Sequence, residues 1–183
     1  QSLSSAASDV YKRQKLDLPQ TSADLLTYAS GVRVQKSQGG GGSPIIRGFE
    51  ANRVLLVIDG VRMNNAIYRS GHLQNSITVN PNSLERTEVI YGPSSVGYGS
   101  DALGGVVHFY TKTPKINNSK KWLTSGISSY NSRLNNFVQN IDVEHSTSKW
   151  ASYTNLSFSK FGDIIMGNNR KHGFDSWGLD NHY

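Results

Sequence analysis

The sequence predicts a β-rich chain of strands and tight glycine turns, with helices that are at most short. Three observations carry this expectation. Glycine supplies 18 of the 183 residues, against 5 prolines and no cysteine. Charged residues make up only 17% of the chain, below the roughly 25% of ordinary globular proteins. Ser, Asn, Thr and Gly take their place, a composition that suits strands and turns better than long solvated helices. The longest uninterrupted apolar run, Val54 to Ile58, is far short of the about 20 residues that a membrane-spanning helix needs. Strands that cross a membrane alternate and leave a much weaker hydropathy signal, so a β-barrel stays open. Aromatic residues, at 10% of the chain, are enough to build a core and argue against wholesale disorder.

The elements follow in order. Gln1 to Gln14 has no apolar stretch long enough for a signal peptide, and Ser5 to Gln14 reads like translated adapter sequence. The organisation expected is therefore a non-native or disordered leader over 1–14, a first domain over 15–115 and strands over 116–183. Thr21-Ser22-Ala23-Asp24 reads as a capping box that opens a short helix through Leu25, Leu26 and Tyr28, closed by Gly31. Val32 to Val34 alternates as a strand, Gly39 to Gly42 forms a flexible loop, and Ile45-Ile46 is a short strand. Arg53 to Asp59 is a strand whose apolar run demands cover on both faces. Asp59-Gly60 supplies the positive φ angles of a tight hairpin before Val61-Arg62-Met63. Gly71 to Gln74 is loop, Pro81 to Leu84 a turn and Glu85 to Tyr91 a strand. Gly92-Pro93 then breaks the chain, and Gly97, Gly99, Gly104 and Gly105 mark a tightly wound connection to the strand Val106 to Thr111.

Beyond Lys115 the texture changes. After the polar linker Asn117-Asn118-Ser119 come three segments of strand character, Trp122 to Tyr130, Asn136 to His145 and Trp150 to Phe161. In the middle one Phe137, Ile141 and Val143 share a face, opposite Asn136, Asn140, Asp142 and Glu144. These lengths match the about 9 to 11 residues that cross a bilayer on a tilt, with aromatics near strand ends where an interfacial girdle would sit. An antiparallel meander with an aromatic core explains the same segments, and both readings stand at this point.

Several chemistries are excluded. Without cysteine there is neither a disulfide scaffold nor a thiolate metal site. Gly39 to Gly42 is followed by Ser43-Pro44 and a strand, lacking the Lys and the helix that a phosphate loop requires. Gly92-Pro93-Ser94-Ser95-Val96-Gly97 has one residue too many for a nucleophile elbow. His72, His108, His145, His172 and His182 form no i, i+4 pair. Glu85 and Glu88 sit three apart on a strand, hence on opposite faces. No catalytic constellation emerges, and the chain is expected not to be an enzyme. The net charge of +6 is scattered rather than striped, which argues against a nucleic-acid partner.

What stands out is a set of four glycine-punctuated blocks in order. They are Ser43 to Phe49 (SPIIRGF), Val54 to Val61 (VLLVIDGV), Leu84 to Pro93 (LERTEVIYGP) and Tyr98 to Val107 (YGSDALGGVV). Together they resemble the plug domain of TonB-dependent outer-membrane receptors, over roughly Leu16 to Pro114, and Lys121 to Tyr183 then resembles the first barrel strands. The resemblance implies an α+β plug domain, a small mixed sheet with short helices and Gly-rich loops, followed by antiparallel β-strands of an incomplete transmembrane β-barrel. Gly48, Asp59, Gly60, Gly92, Pro93, Tyr98, Gly99, Gly104 and Gly105 are the motif positions it rests on.

The resemblance also implies a function. A plug fills a wide lumen and gates TonB-driven uptake, with no covalent chemistry and no resident cofactor. The partners implied are the TonB energy-transducing complex, the remainder of the barrel and the outer membrane. The TonB box expected ahead of the plug is not found, which fits an artificial start. Arg47 of the family's IRG motif, with Glu85 and Glu88, is expected at plug–barrel contacts, the alternative being a local pairing of Arg47 with either glutamate. Arg47 to Arg53 and Ile67 to Asn75 look most like the haem and siderophore subgroup, so Tyr68, Arg69 and His72 are expected in an apical loop that meets an iron-containing cargo. Haem would then be a transported ligand, for which His and Tyr are competent axial ligands. The alternatives are cobalamin, oligosaccharide or peptide cargo, or a soluble β-rich module that binds glycans or nucleic acid.

Overall fold

The computed structural model describes residues 19–36, 41–50, 53–63, 79–92, 97–99, 102–132 and 135–162. Tyr68, Arg69, His72 and Pro93 lie outside these residues.

The N-terminal unit opens on helix α1 (Ser22–Leu26), and its start follows from the capping box. Thr21 Oγ1 accepts the Asp24 N–H at 3.1 Å, and Asp24 Oδ2 accepts the Thr21 N–H at 3.0 Å. The helix stops at Leu26 rather than reaching Tyr28. The Thr27 hydroxyl donates to the Asp24 carbonyl, and turn bonds from Tyr28 and Ala29 carry the chain round. Strands β1 (Val32–Gln35) and β2 (Ser43–Ile46) pair antiparallel beside it. Gly42, expected as part of a flexible loop, is tightly packed: a Cβ there would lie 2.7 Å from both Ala23 Cβ and Val34 Cγ1.

A four-stranded mixed sheet forms the body of the unit. Strands β3 (Val54–Ile58), β4 (Val61–Arg62), β5 (Leu84–Ile90) and β6 (Gly105–Thr111) lie in the order β4-β3-β6-β5, with β3 parallel to β6. The parallel pairing explains why β3 is apolar on both faces. Leu56, Val107 and Phe109 pack beneath α1 and the β1–β2 pair with Leu25, Leu26 and Ile46, whereas Leu55, Val57 and Val106 are covered by Ala102 and Tyr98. Each such buried side chain contributes about 1.5–3 kcal/mol. The hairpin between β3 and β4 turns through Asp59 (φ 47°) and Gly60 (φ 86°), pairing Ile58 with Val61. In β5 a register shift pairs Leu84 with Thr111 and Arg86 with Tyr110, leaving Glu85 unpaired between them. The strict alternation expected of Glu85 and Glu88 is interrupted by this bulge.

Residues 112–120 lead into a separate antiparallel sheet, β7 (Lys121–Asn131), β8 (Asn136–Ser146) and β9 (Ala151–Lys160), in that order. On β8 and β9 the polarity is inverted relative to a water-soluble sheet, whereas β7 places Leu123 and Ile127 on the same face as Glu144 and Asn140. On β8 the face that carries Asn136, Val138, Asn140 and Asp142 is buried against the N-terminal unit. Ile141 points the other way, and its cross-strand partner Leu156 is 65% exposed.

Candidate functional site

The polar contacts between the N-terminal unit and the sheet β7–β9 are made by amides, the Asp142 carboxylate and the Lys112 ammonium group, with hydroxyls supporting them. Asn80 Nδ2 donates to Asn140 Oδ1 on β8 at 2.9 Å and to Asn155 Oδ1 on β9 at 2.6 Å. Asn155 Nδ2 in turn donates to Asn140 Oδ1 at 2.8 Å and Asp142 Oδ1 at 2.5 Å. Asp142 also accepts from Tyr153 (2.7 Å), Ser125 (3.4 Å) and Lys112 Nζ (3.3 Å). At the far end of β8 the Asn136 amide donates to Gln20 at 2.8 Å. Hydrogen bonds dominate this junction, beside the buried Val138 on the same face of β8, and such an interface can be undone with little apolar surface exposed to water.

The outward face of the sheet has the dimensions of a bilayer band. Trp122 and Trp150 flank His145 at one end, with ring centroids 4.1 and 4.6 Å from it. Tyr130 pairs with Phe137 and Phe137 with Lys160 at the other end. Eight residues of strand separate Trp122 from Tyr130, or about 26 Å along the chain. At a tilt of about 40° this covers about 20 Å of membrane normal, near the height of the apolar band in outer-membrane barrels.

The positions singled out from sequence fall in two groups. One lies where β2, β5 and the start of β6 meet. Arg47 (φ 51°) and Gly48 (φ 83°) turn the chain, and the Arg47 guanidinium lies over the Tyr91 ring at 5.4 Å. Burial pushes the Tyr91 hydroxyl above the usual phenol range, Arg47 opposing it, and that hydroxyl donates to the Ser30 carbonyl. Gly92 (φ 69°) follows directly, and a Cβ on Gly104 would lie 2.3 Å from Phe49 Cβ. Gly99 lies apart from this corner, beside β4, where it leaves room for the Arg62 guanidinium, which donates to the Tyr98 carbonyl.

The second group lies toward the opposite end of the sheet. Glu88 accepts from Arg86 Nε at 2.9 Å and from the Tyr110 hydroxyl at 3.1 Å. The local pairing of Arg47 with Glu85 or Glu88 is therefore not what forms. Glu88 is held by Arg86, two residues along the same strand, and Arg47 turns instead to Tyr91. Glu85 is exposed at the bulge. The Arg86 guanidinium covers Tyr110 at 3.7 Å, Tyr110 stacks on His108 at 4.0 Å, and Tyr98 meets His108 edge-on. His108 Nε2 accepts the Gly60 N–H at 3.2 Å, and burial pushes its pKa below the usual imidazole range.

No group of three or more His, Cys, Asp or Glu suited to hold a metal occurs among the described residues. A cleft of about 130 Å³ beside the linker, lined by Lys115, Asn117, Lys121 and Glu144 among others, is smaller than ordinary ligand pockets. The residues that sequence reasoning missed are Asn80, Lys112 and Asn155. Asn140 and Asp142 were legible as the polar side of β8, but nothing local marked Asn80 as their partner.

Comparison with known proteins agrees with this geometry. The model of the TonB-dependent receptor plug domain matches residues 1–106, more than half of the chain. The chain belongs to this family. The TonB-dependent receptors are proteins of the Gram-negative outer membrane, which accounts for the inverted sheet. A relative described as the vitamin B12 transporter BtuB of Vibrio vulnificus is 40% identical over 110 residues, or 58% of this chain and 18% of that protein. Among solved structures, the copper transporter OprC superposes with a TM-score of 0.69 at 20% identity, over 80% of this chain and 22% of that one. The FrpB iron transporter of Neisseria meningitidis gives 0.65 at 17% identity, over 86% and 24%. The chain spans about a fifth of the length of these proteins. In the family's terms, the N-terminal unit is the plug and β7–β9 are wall strands.

Proposed function

We propose that the chain supplies the gate and the first wall strands of a receptor that takes up a metal-bearing ligand across the outer membrane. TonB would drive the uptake from the periplasmic side, and no covalent chemistry is needed. The observation that carries this reading is the buried polar face of β8, with Asn136, Asn140 and Asp142 turned to the plug and Ile141 turned away. A plug that has to move within a water-lined lumen requires such an interface, whereas a sheet completing a soluble core requires the reverse.

An iron-containing cargo, haem or a siderophore, is the reading that the sequence suggested. The likeness to solved structures of a siderophore receptor and an iron transporter supports it at the level of fold. Tyr68, Arg69 and His72 would then meet the cargo, and Arg47 would face barrel carboxylates. The 40% identity to a vitamin B12 transporter favours cobalamin as a second reading. The test uses the complete receptor. Haemin, a ferric siderophore and cyanocobalamin are titrated separately, and uptake is followed with and without TonB. Saturable binding of one ligand and TonB-dependent uptake are expected. Uptake that persists without TonB would overturn the gating role. An unchanged haemin affinity and spectrum in His72→Ala would remove that residue as a ligand.

A further inference from the structure

Asn80 uses both ends of its side chain, and each end serves a different body. Its Oδ1 accepts the Asn82 N–H at 3.0 Å as the N-cap of the 3₁₀ turn Pro81–Ser83. A backbone N–H can meet only an acceptor, so this bond fixes which way the amide lies. Nδ2 is thereby left facing the wall, where it reaches Asn140 and Asn155 on two different strands. The turn that carries Asn80 is itself fastened to the sheet. Ser83 N–H and Oγ donate to the Asn80 carbonyl at 3.1 and 2.8 Å, and Lys112 N–H donates to the Ser83 carbonyl at 2.9 Å. On the wall side Asn140, 1% exposed, is held by Asn155, and Asn155 by Asp142. Both halves of the contact are held by hydrogen bonds within their own unit.

From this geometry we propose that Asn80 is the positioning residue that docks the plug on wall strands β8 and β9, and that breaking its amide contacts is a step in releasing the plug. The proposal rests on the plug-in-barrel reading. The docking is neutral at its centre and therefore insensitive to salt. The neighbouring Lys112–Asp142 ion pair, with its lysine 39% exposed, is screened and secondary.

Two substitutions separate docking from local folding. Asn80→Asp keeps an acceptor for the Asn82 N–H, and Asp caps helical turns about as well as Asn. It removes both donors and sets a carboxylate against the oxygens of Asn140 and Asn155. Asn80→Ala removes the cap as well. The complete receptor is reconstituted in planar bilayers, with a plug-deleted receptor as the open reference, and conductance is followed against urea. At a fixed sub-denaturing urea concentration, Asn80→Asp should raise conductance at least about tenfold over wild type. Its amide hydrogen exchange at Asn82 and Ser83 should stay at the wild-type rate, while Asn80→Ala accelerates it. Wild-type conductance in Asn80→Asp overturns the proposal and leaves the barrel intact. Exchange in Asn80→Asp as fast as in Asn80→Ala overturns it in favour of a purely local cap. A plug-deleted receptor that does not conduct overturns the barrel reading itself and the proposal with it.

Discussion

The Asp59 carboxylate accepts both the backbone N–H of Thr111, at 2.9 Å, and its hydroxyl, at 2.6 Å. The hairpin turn is thus bolted to the last residue of the strand that leads toward the wall. Asp59 also adopts a φ of 47°, tolerated by Asp and Asn far better than by a branched residue. Asp59→Ala loses two charge-assisted bonds and strains the turn, an expected cost of about 2–3 kcal/mol. Asp59→Asn keeps the backbone preference and one acceptor and should cost about half as much. Urea midpoints of the chain in detergent, compared at constant slope, measure both. Equal midpoints for Asp59→Ala and wild type would show that the bolt carries no stability.

Crowding, not conformation, singles out Gly104. A Cβ there would sit 2.3 Å from Phe49 Cβ and 3.1 Å from the Arg53 carbonyl oxygen, neither of which can swing aside. Gly104→Ala should therefore destabilise the plug by about 2–3 kcal/mol. Gly97 has nothing within 4 Å of the same atom, and Gly97→Ala should stay within about 0.5 kcal/mol of wild type. Differential scanning of the two variants side by side decides it. A Gly97→Ala loss as large as that of Gly104→Ala would remove the steric explanation.

His108 is expected to make the plug sensitive to mild acid. It faces Tyr98, Tyr110 and the Gly60 N–H, with Glu88 and Asp59 favouring its charged form and Arg86 opposing it. Burial dominates, so the folded pKa lies below the unfolded value of about 6.5. Between the two values the unfolded chain binds more protons, and stability rises with pH. The contribution is complete above about pH 6.5 and is lost as the pH falls through that value toward the folded pKa. His108→Gln keeps an acceptor for the Gly60 N–H and does not titrate. Thermal midpoints between pH 7.5 and 5.5 should fall more steeply for wild type than for His108→Gln. Parallel curves would place the titration elsewhere.

Most of the fold was legible because its signals are local. The Thr21–Asp24 box, the Asp59-Gly60 turn and the two-sided apolar run of β3 each lie within a few residues. The bulge at Glu85 was not legible, since it is set by pairing with β6 and leaves no mark on β5. Gly42 read as loop because its neighbours, Ala23 and Val34, are distant in the chain. The junction was half legible. The polar stripe of β8 is plain in sequence, but which stripe is buried depends on whether the sheet faces water or lipid. Asn80 lies 60 residues from Asn140 and 75 from Asn155, beyond any sequence pattern.

That question of solvent gives the sharpest test of the wall. Leu156 pairs with Ile141 midway along its strand, pointing away from the plug, and is 65% exposed. Ser157, one residue on, points to the opposite face. In water an arginine at either position would be nearly neutral, and Leu156→Arg would even improve solubility. In a bilayer, arginine near the midplane costs about 2–4 kcal/mol, whereas lumen positions tolerate charge. In the complete receptor, Leu156→Arg should therefore cut the yield of folded, heat-modifiable protein in the outer membrane severalfold or more, and Ser157→Arg should leave it near wild type. The reverse order would mean that the face carrying Ile141 and Leu156 meets water and the opposite face something else, and these strands could not then be the wall of a barrel.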